Sequence, residues 1–593
     1  MGLVTPKEVA QAINLSKYGF AGTFIGWLLM KVTRLSSMNR FYEAHKHLEG
    51  IEFLDAILKH YSIDFSIPEE DLKRLPKEGP FITISNHPLG GIDGVLLLKI
   101  IGSIRPDFKI LGNFLLHRVT PMEPYILAVN PFQNKKNIKS SIPGFKSALS
   151  HLQEGAPLGI FPAGEVSTIK KGTLVIDKVW EEPVLKLIRK AQVPIVPLYF
   201  HAKNSSLFYR LAKINDVFRT AKLPSELYSQ KKRPIKIRIG YPIQVETQNK
   251  QESLSDFSKL LRKKTYLLCS AYAKERYKNP IPTSITPPKA PKKIANAVPY
   301  EVMAEEIEKL REKKCRLLKH HNYEVFLAQK KDMPYLLTEI GRQRELTFRA
   351  IGEGTNNALD LDVYDQYYHH LFLWDTTKKG VVGAYRMGMG AEIFSEHGIR
   401  GFYLQDLFRI APELYSMMQN SIEMGRAYII KEYQQKPMPL FLLWKGIIHT
   451  TLRYPNYQYL IGGVSISTRF SDFSKAIMAA FMKDYYWDPT VAQYISPKKE
   501  FKAQINDADK TFVFKETQAD INKLDRLINE LEPGNLRVPV LIKKYLKQNA
   551  KVIAFNVDPL FNNAVDALMY IKITDLPEQT VKPVMEEFQG KLA

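Results

Sequence analysis

Residues 84–94 read ISNHPLGGIDG, and this stretch decides the fold of the first half of the chain. The β-rich residues 81–85 before it predict a strand, and the apolar residues 94–101 at its end predict a helix. His87 then lies in the turn, and Asp93 opens the helix. Because a carboxylate can fix the tautomer of a neighbouring histidine, the pair could act as a general base. A purely structural pair is the alternative.

A second strand-to-turn segment follows at residues 158–167, which read LGIFPAGEVS. Its apolar start predicts a strand, and its turn carries Gly164 and the carboxylate of Glu165. Between the two segments, the run GNFLLHR places Arg118 on a loop. The later run VPIVPL, residues 193–198, predicts another short strand. This alternation of strands and helices indicates an α/β domain.

In order, these four segments resemble the motifs of the glycerolipid acyltransferase superfamily, which includes the 1-acylglycerol-3-phosphate O-acyltransferases. The resemblance covers about residues 60–240 and implies a glycerolipid-acyltransferase-like α/β domain with an acyl thioester as the donor. It implies that His87 deprotonates an acceptor hydroxyl and that Asp93 orients His87. The residues that it implies for positioning the acceptor are Arg118, Gly164 and Glu165.

Two features depart from the motifs of that superfamily. Four residues usually separate its histidine from its aspartate, whereas five separate His87 from Asp93. The chain must therefore turn or bulge at Gly90-Gly91 for the two side chains to meet, which glycine permits. In the third motif, Phe-Pro-Ala-Gly-Glu, the carboxylate stands two positions later than in the phosphate-ester enzymes. Both variants resemble a bacterial subgroup that acylates amino-acid lipids, and the second weakens the case for a glycerol-phosphate acceptor.

The second half of the chain also alternates helix and strand signals, which predicts an α/β or α+β domain with a hairpin in its middle. The predicted helices cover residues 301–318, 333–345 and 440–452, and the predicted strands cover residues 323–328, 370–374, 381–387 and 459–464.

Charged residues of both signs accompany these elements, and they include Arg344, Asp360, Asp362, Asp365, Arg386, Glu423 and Arg426. A calcium loop is excluded, because an EF-hand that starts at Asp360 would need glycine and glutamate where the chain has Asp365 and Leu371. The adjacent histidine pairs at 320–321 and 369–370 point apart on any strand or helix, so we expect no metal site. Buried ion pairing is a structural explanation for the set and is compatible with function.

As a set, these residues resemble the N-acyltransferases that load an amino acid with a 3-hydroxyacyl chain from acyl carrier protein. More distantly they resemble the acyl-homoserine-lactone synthases, which share an acetyltransferase-like (GNAT-like) fold. The resemblance implies that Glu423 receives the amine proton and that Arg426 orients Glu423 or binds a carboxylate. The residues that it implies for the surrounding charged network are Arg344, Asp362, Asp365 and Arg386. The pyrophosphate loop of acetyl-CoA enzymes is not evident, which agrees with a carrier-protein donor and no separate cofactor.

Composition limits the class of protein. The chain has 593 residues, of which 45% are hydrophobic and 24% charged, so it is globular and large enough for several domains. Its two cysteines lack zinc-site spacing and favour a reducing compartment. The net charge is +23, and residues 1–280 carry +18 of it. This excess predicts an anionic partner, which could be a bilayer surface, nucleic acid or an acidic carrier protein, with a solvated basic surface as the alternative. No nucleic-acid-binding motif accompanies the charge.

The clearest boundary is the Pro-rich segment 279–299, whose six prolines predict a semi-rigid linker. It separates an O-acyltransferase-like domain, residues 1–278, from an N-acyltransferase-like domain, residues 300–593. Residues 18–30 are apolar but too few to span hydrocarbon, and basic residues such as Lys31 follow them. They predict either an interfacial helix or a buried core helix. No signal peptide is visible, so we expect a cytoplasmic protein that is peripheral or monotopic on the cytoplasmic face of the inner membrane.

The two halves together resemble the bifunctional ornithine-lipid synthases of bacteria. The resemblance implies N-acylation of ornithine by the second half and O-acylation of the resulting 3-hydroxyl by the first half. Its implied partners are acyl carrier protein, a small amino-acid substrate and the membrane lipid surface, with no nucleic acid. The same chemistry on glycine or another amino acid is an open alternative, as are a phosphatidic-acid-forming enzyme and a non-catalytic membrane scaffold.

Overall fold

The computed structural model describes residues 3–12, 15–129, 142–170, 174–214, 222–230, 234–272, 290–502 and 505–590. The chain divides into two compact units. Their ranges are Met1–Ala273 with Glu530–Asn535, and Lys274–Asn529 with Leu536–Ala593. Of the predicted linker, residues 279–289 lie outside the described residues, and residues 290–299 contain neither helix nor strand.

Within its described residues, the first unit is built on a seven-stranded sheet with the order β1-β9-β8-β2-β5-β3-β4. Neighbouring strands run parallel except β8 and β9. The strands are β1 (Phe65–Ser66), β2 (Ile82–Ser85), β3 (Lys109–Asn113), β4 (Ile126–Val129), β5 (Leu158–Ile160), β8 (Ile195–His201) and β9 (Ile235–Ile239), and a separate hairpin is formed by β6 (Thr168–Lys170) and β7 (Leu174–Ile176).

The helices of the first unit include α1 (Pro6–Ala12), α2 (Gly19–Val32), α3 (Leu35–His45), α4 (Gly50–Tyr61), α5 (Glu69–Leu72), α6 (Gly91–Gly102), α7 (Ile142–Gln153), α8 (Glu182–Ala191), α9 (Ser206–Ile214), α10 (Val245–Asn249) and α11 (Leu254–Leu267). The helix predicted over residues 94–101 is confirmed as α6, whose apolar residues are buried in one core cluster with those of β8 and β9. The carboxyl ends of the parallel strands β2 and β5 adjoin, because Ile84 pairs with Ile160. The loops that follow these strands therefore meet at one edge of the sheet.

Within its described residues, the second unit is built on an eight-stranded sheet with the order β10-β11-β12-β13-β15-β16-β19-β18. Neighbouring strands run antiparallel except β15 and β16. The strands are β10 (Arg316–His320), β11 (Tyr323–Gln329), β12 (His369–Asp375), β13 (Gly380–Met389), β15 (Ser421–Ile429), β16 (Tyr459–Ile466), β18 (Lys551–Asp558) and β19 (Ala564–Lys572), and β14 (Phe408–Ile410) pairs separately with β17 (Ile495–Pro497).

The helices of the remaining chain include α12 (Tyr300–Glu312), α13 (Pro334–Ala350), α14 (Gly390–His397), α15 (Leu404–Leu407), α16 (Tyr415–Gln419), α17 (Pro437–Arg453), α18 (Asp472–Tyr485), α19 (Pro489–Ala492), α20 (Asp507–Thr517), α21 (Ile521–Leu531), α22 (Val540–Leu546) and α23 (Glu578–Gly590). The α/β prediction is confirmed for both units. The helix predicted over residues 301–318 is wrong at its end, because α12 stops at Glu312 and the chain turns through Lys314, whose φ is +55°. Residues 316–320 instead form β10, which pairs with β11.

The parallel strands β15 and β16 pair over only three positions. Ser421 lies beside Tyr459, and the last pair is Glu423 with Ile461. Beyond this pair both strands continue without pairing to each other, so the sheet opens between them. The opening begins at the residue that the sequence predicts as a base.

The N-terminal helices α1 and α2 pack against each other through small residues. A β-carbon added at Gly22 would lie 2.0 Å from the carbonyl oxygen of Leu15, and one at Gly26 would lie 2.2 Å from that of Pro6. Gly22, Gly26 and Met30 stand four residues apart and form the buried face of α2. Large apolar side chains, including Phe20, Phe24 and Leu28, point away from that face and are exposed. None of the described helices combines the length and the apolar composition that crossing a membrane requires.

Candidate active sites

The structure brings His87 and Asp93 together despite their unusual spacing. The Nδ1 atom of His87 lies 3.0 Å from Oδ2 of Asp93. The same oxygen accepts hydrogen bonds from the backbone N–H groups of Leu89, at 2.8 Å, and Gly90, at 3.1 Å. Asp93 is fully buried, whereas the His87 side chain is 18% exposed. Burial raises the pKa of Asp93, and the hydrogen bond with His87 opposes that shift.

The chain accommodates the extra residue by a turn at Gly90. Its φ is +81°, a conformation that favours glycine, and α6 begins at the next residue. A β-carbon at Gly90 would lie 3.2 Å from a methyl group of Leu223 and 3.3 Å from one of Val166, so a side chain would be crowded as well as strained. The turn predicted at Gly90-Gly91 is therefore confirmed.

Asp177, which the sequence analysis did not single out, holds the His87 loop in place. This fully buried carboxylate accepts hydrogen bonds from the His87 backbone N–H, at 3.2 Å, and from Ser167 Oγ, at 2.5 Å. Its other oxygen accepts from the Trp180 indole N–H at 3.2 Å. The Ser167 N–H in turn donates to the His87 carbonyl. Asp177 follows β7 at the end of an apolar run, TLVID, and no motif marks it.

Gly164 and Glu165 lie in the loop after β5, beside the His87 loop. Gly164 has a φ of +66°, and its N–H donates to the Phe161 carbonyl at 3.0 Å, which closes the turn. The Phe161 ring lies against the His87 ring in a tilted arrangement, with centroids 4.2 Å apart. Glu165 is ion-paired with Lys178 at 2.5 Å. The third motif thus lies next to the His87–Asp93 pair, and its role in positioning an acceptor stays a prediction.

Arg118 has a different environment from the other predicted residues of this half. It ends the turn that follows β3, and its guanidinium donates to Glu8 of α1 at 2.8 Å. Hydrogen bonds from the Thr5 backbone N–H and from Arg118 lower the pKa of Glu8 to about 2. The structure shows no contact of the Arg118 guanidinium with His87 or Asp93 among the described residues, so its role in positioning an acceptor stays a prediction.

Glu423 lies on β15 and is buried where the sheet opens. Tyr368 Oη donates to its Oε2 at 2.7 Å, and the backbone N–H of Leu404 donates to its Oε1 at 3.1 Å. The Tyr368 hydroxyl also accepts from the Tyr403 N–H at 3.0 Å, which fixes its direction. Burial raises the pKa of Glu423 to about 7, because it disfavours the charged carboxylate. A carboxyl group with this pKa is suited to exchanging a proton near neutral pH.

Two of the predicted arginines are buried among aspartates. Arg344 donates to Asp365 at 2.8 Å and to Asp360 at 3.2 Å, and Arg386 donates to Asp362 at 2.6 Å. Burial alone would raise the pKa of Asp360 and Asp365, but the neighbouring guanidinium charges hold both pKa values below the ordinary range. The structure thus confirms that these residues form one charged network.

Arg426 joins the same network from a strained position. Its φ is +49°, which an L-residue rarely adopts, at an irregularity in the pairing of β13 with β15. Its guanidinium lies 3.4 Å from Asp360 and 3.5 Å from Asp362, and it donates to the Tyr403 hydroxyl at 3.3 Å. It also lies 4.6 Å from the centre of the Phe561 ring. The bulge directs Arg426 toward the opening of the sheet.

A cavity of about 330 Å³ occupies the opening between β15 and β16. Residues 423–427 of β15 and residues 463–465 of β16 line it, together with Tyr403. Glu423 and Arg426 both reach this cavity, whereas Arg344, Asp362, Asp365 and Arg386 do not line it. These four residues belong to the charged network, which lies behind the cavity wall. Among the residues that the structure describes, no group of three or more His, Cys, Asp or Glu side chains is arranged to hold a metal ion.

Two family models match the chain. The acyltransferase family model matches residues 8–274, and the acetyltransferase (GNAT) domain model matches residues 343–444. The first range contains the His87–Asp93 pair, and the second contains Glu423 and Arg426. The matched ranges lie in the two units that carry the two sheets.

Curated relatives of the chain are named as enzymes that acylate a lipid or an amino acid. The chain is 27% identical over 273 residues to the lyso-glycine lipid O-acyltransferase of Bacteroides thetaiotaomicron. The matched region covers 45% of this chain and 97% of that protein. It is 25% identical over 248 residues to the glycine N(alpha)-acyltransferase of Phocaeicola vulgatus. This matched region covers 40% of this chain and 74% of that protein.

Solved structures give weaker similarities. The 1-acyl-sn-glycerophosphate acyltransferase PlsC from Thermotoga maritima is 14% identical, with a TM-score of 0.25 over 42% of this chain and 98% of that chain. The CoA-dependent acyl-homoserine lactone synthase MesI is 10% identical, with a TM-score of 0.22 over 45% of this chain and 95% of that chain. The fold assignment rests on the observed sheets and the family models.

The environment of Glu423 predicts a pH dependence. A base must be deprotonated to accept a proton, so kcat/KM for acylation of an amine should rise as pH increases through about 7, the raised pKa of Glu423. Glu423→Gln should lower kcat/KM by about 100-fold and remove this limb of the profile. The exposed Glu413→Gln serves as the matched control. A Glu423→Gln enzyme with the wild-type pH profile would contradict the assignment.

The two halves of the chain thus present different chemistry on different sheets. The first places a histidine–carboxylate pair at the carboxyl edge of a mainly parallel sheet, and the second places a buried glutamate where two parallel strands separate. Together with the two family matches, these features identify the chain as an acyltransferase, in which a glycerolipid-acyltransferase-like α/β unit is followed by a GNAT-like α/β unit.

Proposed function

We propose that the chain is a bifunctional acyltransferase of aminolipid biosynthesis. It N-acylates an amino acid with a 3-hydroxyacyl group and then O-acylates the 3-hydroxyl of the product. The observation that carries this proposal is the presence in one chain of two sites, a His–Asp pair suited to a hydroxyl and a buried glutamate suited to an amine. The relatives named for glycine N-acylation and lyso-glycine lipid O-acylation support the same pair of reactions.

In the first reaction, the α-amine of the amino acid attacks the thioester carbonyl. The C–N bond forms, the C–S bond breaks, and the carrier thiol leaves with a proton. An amine is mostly protonated at pH 7, so the site must remove a proton before or during attack. Glu423 takes that proton, and its pKa of about 7 suits the transfer. Arg426 lines the cavity, and its proposed role is to bind the α-carboxylate of the amino acid.

In the second reaction, the 3-hydroxyl of the N-acylated product attacks a second thioester. With its proton on Nδ1, His87 donates to Asp93 and leaves Nε2 as the base that receives the hydroxyl proton. Asp93 then stabilises the imidazolium that forms. The ester C–O bond forms as the C–S bond breaks, and the proton passes to the departing thiol.

Ornithine is the first candidate for the amino acid, because the arrangement of both halves resembles the ornithine-lipid synthases. Glycine is the second candidate, and the names of the relatives favour it. Acyl carrier protein is the proposed donor, and no further cofactor is proposed. The +18 charge of residues 1–280 suits an acidic carrier protein or an anionic bilayer.

We also propose that α2 docks the protein on the cytoplasmic face of the inner membrane. Phe20 is 87% exposed and Leu28 48% exposed, on the side of α2 that faces away from α1. Lys31 lies over the Trp27 ring at 4.1 Å from its centre, which puts a cation beside an aromatic ring at the apolar edge. An apolar face bordered by cations suits the boundary between headgroups and acyl chains of an anionic bilayer.

Lipid analysis tests the two-step proposal. A bacterial host without aminolipids should form a diacylated, phosphorus-free aminolipid when it expresses the wild-type chain. His87→Ala should accumulate the N-acylated lyso form, because only the second reaction is blocked. Glu423→Ala should form neither product, because the first reaction is blocked. Thin-layer chromatography with ninhydrin and mass spectrometry would identify the products.

The exposed His47→Ala serves as the control for His87→Ala. If phosphatidic acid alone increases, the proposed role of the second unit is wrong. If His87→Ala forms the diacyl product at the wild-type level, His87 is not the base. If the head group is glycine, the two-step chemistry stands and the ornithine assignment fails.

Vesicle flotation tests the docking helix. The double substitution Phe20→Glu and Leu28→Glu should lower binding to phosphatidylglycerol vesicles by about tenfold or more, because it places two charges in the apolar face. Tyr335→Glu, at another exposed aromatic residue, should bind as the wild type does. Equal binding of the double variant and the wild type would show that α2 is not the docking surface.

A further inference from the structure

The dipeptide Asp177-Lys178 contacts two parts of the candidate site in the first unit. Asp177 accepts a hydrogen bond from the His87 backbone N–H. The next residue, Lys178, is ion-paired with Glu165 at 2.5 Å. Neither residue belongs to a motif that the sequence analysis identified. The position of this dipeptide therefore affects both the proposed base and the residue that the resemblance implies for the acceptor.

Arg262 of α11 holds the dipeptide by its backbone. The Nη2 atom of Arg262 donates to the Asp177 carbonyl at 2.6 Å, and its Nη1 atom donates to the Lys178 carbonyl at 2.6 Å. A guanidinium group presents its N–H donors in a rigid, planar fork. Two bonds from this fork to adjacent carbonyls fix the orientation of the peptide unit between them.

Tyr266 adds a third bond from the same helix. The Asp177 backbone N–H donates to the Tyr266 hydroxyl at 2.8 Å. Tyr266 stands four residues after Arg262, so the two side chains lie on the same face of α11. The Arg262 guanidinium lies 5.2 Å from the centre of the Tyr266 ring and 5.9 Å from that of Trp180, and these contacts restrict its movement. One face of α11 thus binds the N–H and both carbonyls of the dipeptide.

The helix that carries these side chains is itself well anchored. Its N-terminus is capped by Ser253, whose hydroxyl accepts from the Asp256 N–H at 3.0 Å. Its apolar residues Phe257, Leu260 and Leu261 are buried. In the chain, α11 follows all four motifs of the resemblance. A helix outside the motifs therefore determines the backbone position of the dipeptide.

We propose that Arg262 is a positioning residue for O-acylation, acting through Asp177 and Lys178. Through Asp177 it sets the position of the His87 backbone, and through Lys178 it sets the direction of the Glu165 carboxylate. The inference rests on the proposed O-acylation and adds the residue that keeps its base and its acceptor site aligned. Alignment matters because a displacement of about 1 Å at a reacting group can cost about 100-fold in rate.

Rates of both reactions of the purified full-length protein test this role. The N-acylated intermediate isolated from the His87→Ala protein is supplied with palmitoyl-acyl carrier protein, and mass spectrometry measures the diacyl product. Arg262→Gln should lower kcat/KM for O-acylation by about tenfold or more, because an amide cannot bond both carbonyls as the fork does. Arg262→Lys should lie between the two. N-acylation by the same molecules and their thermal unfolding midpoint report that each variant is folded.

Two further variants separate the two branches. Asp177→Asn should lower kcat for O-acylation and change KM for the intermediate by less than about twofold, because it acts on His87. Lys178→Gln should raise that KM by about threefold or more with kcat near the wild-type value, because it acts on Glu165. Arg262→Gln should show both effects. Adding it to either variant should change that variant's own parameter little, since residues that act through one another are not additive.

Arg189→Gln is the matched control. Arg189 also donates to a backbone carbonyl, that of Gln251, at 2.8 Å, and its guanidinium lies over the Phe257 ring of α11. Among the described residues it makes no hydrogen bond to the dipeptide. This variant should keep the wild-type kcat and KM for O-acylation.

The outcomes separate this inference from the function on which it rests. If Arg262→Gln converts the intermediate with the wild-type kcat and KM, the positioning role is wrong while the proposed O-acylation stands. If Arg262→Gln slows N-acylation to the same extent as O-acylation, Arg262 serves only the stability of the fold, and the role is again wrong. If the wild-type protein does not convert the intermediate, the proposed O-acylation fails, and the positioning role fails with it.

Discussion

Burial of charge is the constraint on which the second site depends. Three guanidinium groups, those of Arg344, Arg386 and Arg426, face three aspartates behind the cavity. A buried charge without its partner costs about 3–5 kcal/mol, so the set is stable only because the charges balance. The Arg386 guanidinium also lies 5.1 to 5.4 Å from the centres of three tyrosine rings, which exclude water from the network. Among the described residues Glu423 forms no ion pair with this balanced network, and burial raises its pKa.

The first unit meets a different requirement, the alignment of one side chain at the edge of a sheet. The parallel strands β2 and β5 deliver the His87 loop and the Gly164 loop to the same edge. A glycine turn then brings Asp93 back to His87, and Asp177 accepts a hydrogen bond from the His87 backbone N–H. Two buried carboxylates hold His87, Asp93 at its ring and Asp177 at its backbone, whereas the second site is built on a network of paired charges.

Local sequence patterns predicted much of this architecture. The strand before His87, the helix after it and the turn at Gly90 followed from apolar runs and glycine positions, and the charged set around Glu423 followed from the resemblance. Asp177 could not be predicted, because its role depends on a contact between loops 90 residues apart. The end of α12 was misplaced, because the apolar pair at residues 317–318 continues the helical pattern, whereas pairing with β11 makes it a strand. The ion-pair partner of Arg118 could not be predicted from the sequence either, because Glu8 lies 110 residues away along the chain.

The central claim is that two separate sites act in series within one chain. The most direct test gives the Glu423→Ala protein the N-acylated intermediate isolated from the His87→Ala protein, together with a second acyl thioester. Mass spectrometry then measures the diacyl product. We predict conversion at the rate of the wild-type enzyme, because the His87 site is intact and the amide bond is already formed. Failure to convert the intermediate would contradict the account, since it would mean that Glu423 is also required for O-acylation.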